Sequence, residues 1–383
     1  MLPYGRQTIE DDDIAAVAEA LRGDFLTTGP TVEAFERAFA ETVGAQHAVA
    51  CANGTAALHL AMLALDVKPG EVVIAPSITF LATANCARYV GADVVFADVD
   101  PDTGLMTPRT LAEALERVGD RRLRAVLPVH LRGDAAELPA LAELAAQAGA
   151  VLVEDAPHAL GSTMRFGNVA ETVGDVRHSA MATFSFHPVK TIATGEGGMI
   201  TTNDPAIAQR LRVLRSHGMV RPEGCEPWWY EMPEPGFNYR LPDILCALGL
   251  SQLKKLPRFA ERRRALAGAY REALAPLAPL VRQAAQPKWS DPVLHLMTVL
   301  IDFEAAGRSR LEVVEALKAR GVGSQVHYIP VHRQPYYRGL YGDLHLPGAE
   351  AWYGRCLSLP LYPGMADADV AVVVDALKEA VGL

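Results

Sequence analysis

Lysine, cysteine and long apolar runs are all scarce in this sequence, and each shortage excludes something. Only 7 of the 36 basic residues are lysines (Lys68, Lys190, Lys254, Lys255, Lys288, Lys318 and Lys378). Arginine meets nearly every need for a surface cation, so an isolated lysine in a glycine-rich loop stands out. The five cysteines (Cys51, Cys86, Cys225, Cys246 and Cys356) contain no CxxC pair and make an odd total. That pattern argues against a disulfide framework or a zinc site and suits a reducing compartment; free cysteines of this kind ordinarily serve as small buried hydrophobes. Apolar runs are short and broken by charge, Gly or Pro, so no membrane span is expected. The opening MLPYGRQTIEDDD has no apolar signal-peptide stretch, which predicts a cytoplasmic chain. Excess positive charge is missing too: the net charge is −9, which argues against a general nucleic-acid surface. The densest basic run, RFAERRR from Arg258 to Arg264, falls in a helical pattern and reads as a solvated helix face.

What is present is core material in a regular order. Half of the 383 residues are hydrophobic and mean hydropathy is +0.10, enough for a large domain and a smaller one. Short β-rich runs alternate with helix-period stretches: VVIAPSITF (72–80), DVVFADVD (93–100), RAVLPVH (124–130), AVLVEDAP (150–157), MATFSF (181–186) and GMITTND (198–204). Near-continuous apolar strands alternating with amphipathic helices such as TPRTLAEALERV predict an α/β fold with a largely parallel sheet covered on both faces. The stretch CEPWWYEMPEPGFNYRLPD (225–243) interrupts this alternation. A long helix follows, expected to bend at Pro257, then a segment with LHLMTVLIDF, a helix near 308–320, and VGSQVHYIP. The expected division is a large domain of residues 15–248 and a small domain of 249–383 joined by 1–14.

In open α/β folds ligands sit beyond the carboxyl ends of the strands, and four chemically suggestive places follow strands here. Asn53-Gly54-Thr55-Ala56 opens the helix TAALHLAMLAL; its free N–H groups and positive dipole end suit a phosphate, though an ordinary helix cap reads the same way. Glu154-Asp155-Ala156-Pro157-His158 ends an apolar strand. A buried Asp there needs a cationic partner, which a protonated pyridine nitrogen, a helix N-terminus or an ordinary ion pair would equally supply; His158 alone reads as a structural histidine. Ser185 and Lys190 sit in FSFHPVKTIATGEGG, with Lys190 35 residues after Asp155. A Schiff-base lysine needs a mobile amine beside unhindered backbone, whereas a surface lysine in a flexible loop is the plainer alternative. Phe80 could stack on a flat ring or simply pack in the core. Each piece is weak alone; their order is specific.

With those residues in view, GTAALHLAMLAL, IAPSITFLATANC, DVDPDTG, EDAPHALGS and FSFHPVKTIATGEGGMITTND resemble the DegT/StrS family of sugar aminotransferases across nearly the whole chain. The resemblance implies an aspartate-aminotransferase-like fold (pyridoxal-phosphate fold type I), with a mostly parallel seven-stranded sheet in the large domain and a smaller C-terminal α/β domain. PYGRQTI, LTTGPTVEAFE, LRSHGM, WWYEMPEPGFNYRLPD, ALGLSQLKKL and QVHYIPVHRQPYYR are similar to the branch that aminates C4 of UDP-4-keto-6-deoxy-N-acetyl-L-altrosamine in pseudaminic acid biosynthesis. Related enzymes on GDP- and dTDP-sugars share many of these phrases.

The resemblance implies roles position by position. Lys190 would be the Schiff-base lysine and move the proton; Asp155 would pair with the pyridine nitrogen of pyridoxal 5'-phosphate, Phe80 would stack on the ring, and His158 would neighbour the phenolate oxygen. Gly54, Thr55, Ala56 and Ser185 would hold the phosphate. Asn238 would reach the phosphate of a second subunit, making a homodimer with shared sites. Tyr4, Leu26, Thr27, Thr28, Gly29, Tyr239, Arg240, Val326, His327, Tyr328 and Ile329 would border a nucleotide-linked keto sugar, with glutamate as the expected amino donor and pyridoxamine phosphate formed in turnover. Three departures stand out: Asn53 where relatives often carry Ser, His158 where many carry Gln, and LRGDAAEL (131–138) in place of an Ala-Gly turn. A sugar 3-dehydratase would carry His at position 190, and a non-catalytic regulator would not need Asp155, Ser185 and Lys190 together.

Overall fold

A computed structural model describes residues 1–383. Its strands are β1 (His47–Cys51), β2 (Val72–Pro76), β3 (Asp93–Ala97), β4 (Leu123–Val126), β5 (Val151–Asp155), β6 (Thr163–Phe166), β7 (Val169–Thr172), β8 (Met181–Ser185), β9 (Gly198–Thr202), β10 (Val281–Gln283), β11 (Ser290–Asp291), β12 (Met297–Ile301) and β13 (Cys356–Leu359). Seven of them form one sheet in the order β1-β9-β8-β5-β4-β2-β3. β8, β5, β4, β2 and β3 pair in parallel, and β9 alone runs against both its neighbours. Parallel pairing requires crossover connections, most of them helices here, and both faces of the sheet are covered. That is why β2 is buried at all five positions and reads as an unbroken apolar run.

One buried core lies on each side of this sheet. The period-two alternation of β8 sends Phe184 into the core, and Phe186 just beyond it follows. Their rings meet those of Phe35 and Phe39, from the helix Pro30–Val43, at centroid distances of 5.0–5.6 Å. Full burial of each such ring is worth about 1.5–3 kcal/mol. The cluster therefore anchors the strand that carries Ser185 on its opposite face. A third core, made by residues between Leu266 and Val381, lies around the small sheet β10-β12-β13. Leu2 bridges to Val322, and the Leu361 N–H donates to the Tyr4 carbonyl. On these contacts we keep, as a proposal, the division into 15–248 and 249–383 with 1–14.

Several expectations shift in detail. The predicted strands stop one to four residues early at their carboxyl ends: β2 ends at Pro76 and β4 at Val126, because the backbone there turns away to line a cavity. β1 and the hairpin β6–β7 carry too few β-branched residues to stand out in the sequence. The long helix after residue 243 does not bend at Pro257 but breaks, into Asp243–Lys254 and Leu256–Leu274. Pro257 lies in the first turn of the second helix, where its missing N–H costs nothing. No helix is long and apolar enough to cross a membrane.

Candidate active site

A cavity of about 690 Å³ opens beyond the carboxyl ends of the parallel strands, lined by residues that sequence order scatters from Tyr4 to Gln334. Tyr4, Gly54, Thr55, Phe80, Asp155, His158, Ser185, Lys190, Val326, His327, Tyr328 and Ile329 all face it. The volume falls in the usual range for a cofactor or ligand site.

One wall is the start of the helix Gly54–Ala64. Asn53 caps it, its side-chain oxygen accepting the Ala56 N–H at 2.8 Å, while the Gly54 and Thr55 N–H groups lie in the first turn, where no intrahelical carbonyl is available. Ala56 does not line the cavity, and its N–H is already engaged by the cap. A Cβ on Gly54 would stand 2.8 Å from the Ser185 Cβ and 3.3 Å from its hydroxyl. Glycine is thus required for the helix start to close on the end of β8. The Ser185 oxygen accepts the His187 N–H at 3.4 Å, which leaves its own proton free to donate. Together these donors form an anion cradle.

Asp155, the last residue of β5, also lines the cavity. It is 5 % exposed, and the Thr83 hydroxyl donates to its Oδ2. No protein group bonds Oδ1. Burial pushes the Asp155 carboxyl above its usual range, against the lowering effects of Thr83 and of the Lys190 ammonium. A buried carboxylate with one uncommitted oxygen calls for a cation. Lys190 stands half-buried in the loop after β8. Removal from water lowers its pKa to about 8, with Asp155 pulling the other way. Hydroxyl and N–H donors, a buried carboxylate with a free oxygen and an amine of lowered pKa, gathered on one cavity, fit a phosphate, a protonated pyridine nitrogen and an aldehyde. The residues present fit pyridoxal phosphate.

Because the neutral amine is the reactive form, acylation of Lys190 should accelerate as pH rises through about 8, rather than near the ordinary 10.5. Peptide mass spectrometry after treating the cofactor-free protein with an amine-selective reagent reads this directly. An inflection near or above the ordinary value would contradict the burial account.

Aromatic and imidazole rings complete the cavity. Phe80 is 58 % exposed at its mouth, with its ring 6.2 Å from that of Tyr328. The His327 Nδ1 lies 2.9 Å from the Ser358 hydroxyl, and burial together with Lys190 lowers the His327 pKa to about 3. Burial likewise keeps His158 and His295 well below the ordinary histidine value.

Sequence reasoning missed Thr83, His295 and Gln334. His295 was visible as a lone imidazole in the apolar run LHLMTVL; Thr83 had no signal, since its partner is 72 residues away. Leu26, Thr27, Thr28, Gly29, Asn238, Tyr239 and Arg240 do not line the cavity in a single chain. Thr28, Gly29 and Arg240 border a separate cleft of about 110 Å³ with Arg215 and Ser216. Asn238 forms a backbone bridge with Ser216. The Tyr239 hydroxyl lies 3.3 Å from the His59 Nδ1.

Comparison with known proteins agrees with this geometry. A model of the DegT/DnrJ/EryC1/StrS aminotransferase family matches residues 7–378. The spore coat polysaccharide biosynthesis protein SpsC of Bacillus subtilis (strain 168) is 39% identical over 392 residues, covering 99% of this chain and 97% of that protein. Among solved structures, Helicobacter pylori PseC, an aminotransferase involved in the biosynthesis of pseudoaminic acid, is 29% identical with a TM-score of 0.90, over 99% of this chain and 98% of that one. Spr1654 from Streptococcus pneumoniae, solved in a PMP form, is 26% identical with a TM-score of 0.91, over 100% and 99% of the two chains; its PLP form is similar at a TM-score of 0.89. With the cavity and these likenesses in agreement, the chain belongs to the DegT/DnrJ/EryC1/StrS aminotransferase family and depends on pyridoxal phosphate.

Proposed function

We propose that this enzyme transfers an amino group from an amino acid, glutamate being the expected donor, to the C4 keto group of a nucleotide-linked 4-keto-6-deoxy sugar. The observation that carries the reading is the convergence of Lys190, Asp155, Ser185 and the Gly54–Thr55 helix start on one cavity. When bound there, pyridoxal phosphate supplies an aldehyde that exchanges amino groups and a ring that accepts electrons. The protein's share is positional and electrostatic. The Gly54 and Thr55 N–H groups and the Ser185 hydroxyl would hold the phosphate, Asp155 would keep a proton on the pyridine nitrogen, and Phe80 would pack on the ring. Lys190, with a pKa near 8, is both the nucleophilic amine and the group that takes up and returns a proton. Tyr4 and Val326 to Ile329 form the wall next to which the sugar would sit.

The substrate we favour is UDP-4-keto-6-deoxy-N-acetyl-L-altrosamine, on the likeness to PseC and on the phrases noted in the sequence. Another keto sugar destined for a surface polysaccharide is the second reading, favoured by the higher identity to SpsC. Incubation with glutamate and a panel of UDP-, GDP- and dTDP-linked 4-keto-6-deoxy sugars, followed by mass spectrometry, separates the two. The first reading expects the UDP-altrosamine derivative to be aminated at least tenfold faster than the others, and preference for another sugar would replace it. Since Asn238, Arg240 and Thr28 stand outside the cavity of one chain, we propose a homodimer in which a second copy brings them to it. An active species sedimenting at 41.2 kDa, the mass of one chain, would contradict that.

A further inference from the structure

The turn Leu131-Arg132-Gly133-Asp134, one of the departures noted in the sequence, contacts His158 through its backbone. Arg132 adopts a left-handed conformation, φ 65°, and its N–H donates to the His158 Nδ1 at 3.3 Å. The turn is held there tightly. The Arg132 guanidinium donates to the Ala284 and Ala285 carbonyls at 3.3 and 2.8 Å and pairs with Asp134. The Arg132 carbonyl accepts the His295 N–H at 2.6 Å, and a Cβ on Gly133 would meet the Val293 carbonyl at 2.5 Å. The His295 ring packs on His158 at 4.5 Å between centroids. On its far side the His158 Nε2 lies 3.2 Å from the Tyr328 hydroxyl, which lines the cavity.

A ring nitrogen that accepts a hydrogen bond carries no proton, so the partner of one nitrogen sets the state of the other. We infer that Arg132 is a positioning residue: its backbone N–H holds neutral His158 in the Nε2–H form and so gives the chain Arg132–His158–Tyr328 one direction. His158 then donates to the Tyr328 oxygen, and the Tyr328 hydroxyl keeps its own hydrogen for an acceptor oxygen in the cavity. Burial and neighbouring Asp155 raise the Tyr328 pKa, which keeps that hydrogen in place. Glutamine at position 158 could accept and donate in the same sense through its two amide atoms, so the turn lets histidine do the work of an amide. The inference rests on the cofactor reading above in one respect, that the acceptor oxygen belongs to bound pyridoxal phosphate.

Long-range nitrogen NMR of 15N-histidine-labelled protein, with and without pyridoxal phosphate, tests it; a His158→Gln sample assigns the signals. His158 should show a protonated Nε2 and a bare Nδ1 in both states. A protonated Nδ1, or a doubly protonated ring, overturns the inference even if the protein binds cofactor and turns over normally. In Tyr328→Phe the tautomer should persist while the cofactor Kd rises roughly fivefold to tenfold, the size of one lost hydrogen bond. A tautomer that switches in Tyr328→Phe would make Tyr328, not Arg132, the group that sets it. Arg132→Ala keeps the backbone N–H but frees the turn from its guanidinium contacts, and should let an Nδ1-protonated population appear; a folded Arg132→Ala protein with an unchanged tautomer overturns the claim that the Arg132 side chain positions that N–H.

Discussion

Lys190→Ala should lower turnover by several powers of ten while leaving the protein folded and able to retain pyridoxal phosphate. The amine stands in a loop whose neighbours Phe184 and Phe186 do the packing, so its removal opens little space. The proposed phosphate cradle and Asp155 remain, and they would hold the cofactor without a covalent link. On the roles proposed for Lys190, what disappears is the nucleophile and the carrier of the proton, both on the same nitrogen. Loss of such a dual group ranks with loss of a nucleophile or its base in other enzymes. The measurements are kcat and the cofactor retained after gel filtration. Turnover near the parent value would show that another group carries the chemistry. Complete loss of cofactor would show instead that the cradle is weaker than its geometry implies.

Asp155→Asn should cost roughly 10²–10³-fold in kcat, in line with removal of a buried electrostatic group aimed at developing charge. The amide is nearly isosteric, and its oxygen can still accept the Thr83 hydroxyl, so the fold should hold. A neutral amide, however, cannot keep a proton on the pyridine nitrogen, and the ring then loses its capacity to accept electrons. The loss should fall on the proton-transfer half of the reaction and much less on cofactor binding. A substrate deuterium isotope effect that grows in Asp155→Asn would place the defect there. Parent-like turnover would reduce Asp155 to an ordinary buried acid held by Thr83.

These two residues stood out as candidates in the sequence because their environments are local, and the family resemblance supplied their expected roles. Asp155 ends an apolar strand, and Lys190 follows another in a glycine-rich loop; strand period and loop composition are short-range signals. The helix start at Gly54 was visible for the same reason. The groups that tune them were not. Thr83 reaches Asp155 from 72 residues away, and Arg132 reaches His158 from 26, through packing that no periodicity encodes. Strand ends were read too long because their apolar residues continue into loops that line the cavity. The break at Lys255 was read as a bend because proline at a helix start and proline in a kinked helix look alike in a sequence. Asn238 and Arg240 show a further limit: in one chain they have neighbours of their own and do not line the cavity.

The most direct test of the account is a single-turnover experiment without any keto sugar. Protein reconstituted with pyridoxal phosphate should be yellow, and addition of glutamate should abolish that colour while one 2-oxoglutarate is released per chain. Later addition of an accepted keto sugar should restore the colour and yield one equivalent of amino sugar. Protein that stays colourless after reconstitution, or that releases no oxo acid from glutamate or any other amino donor, would contradict the claim that this cavity is an aminotransferase site.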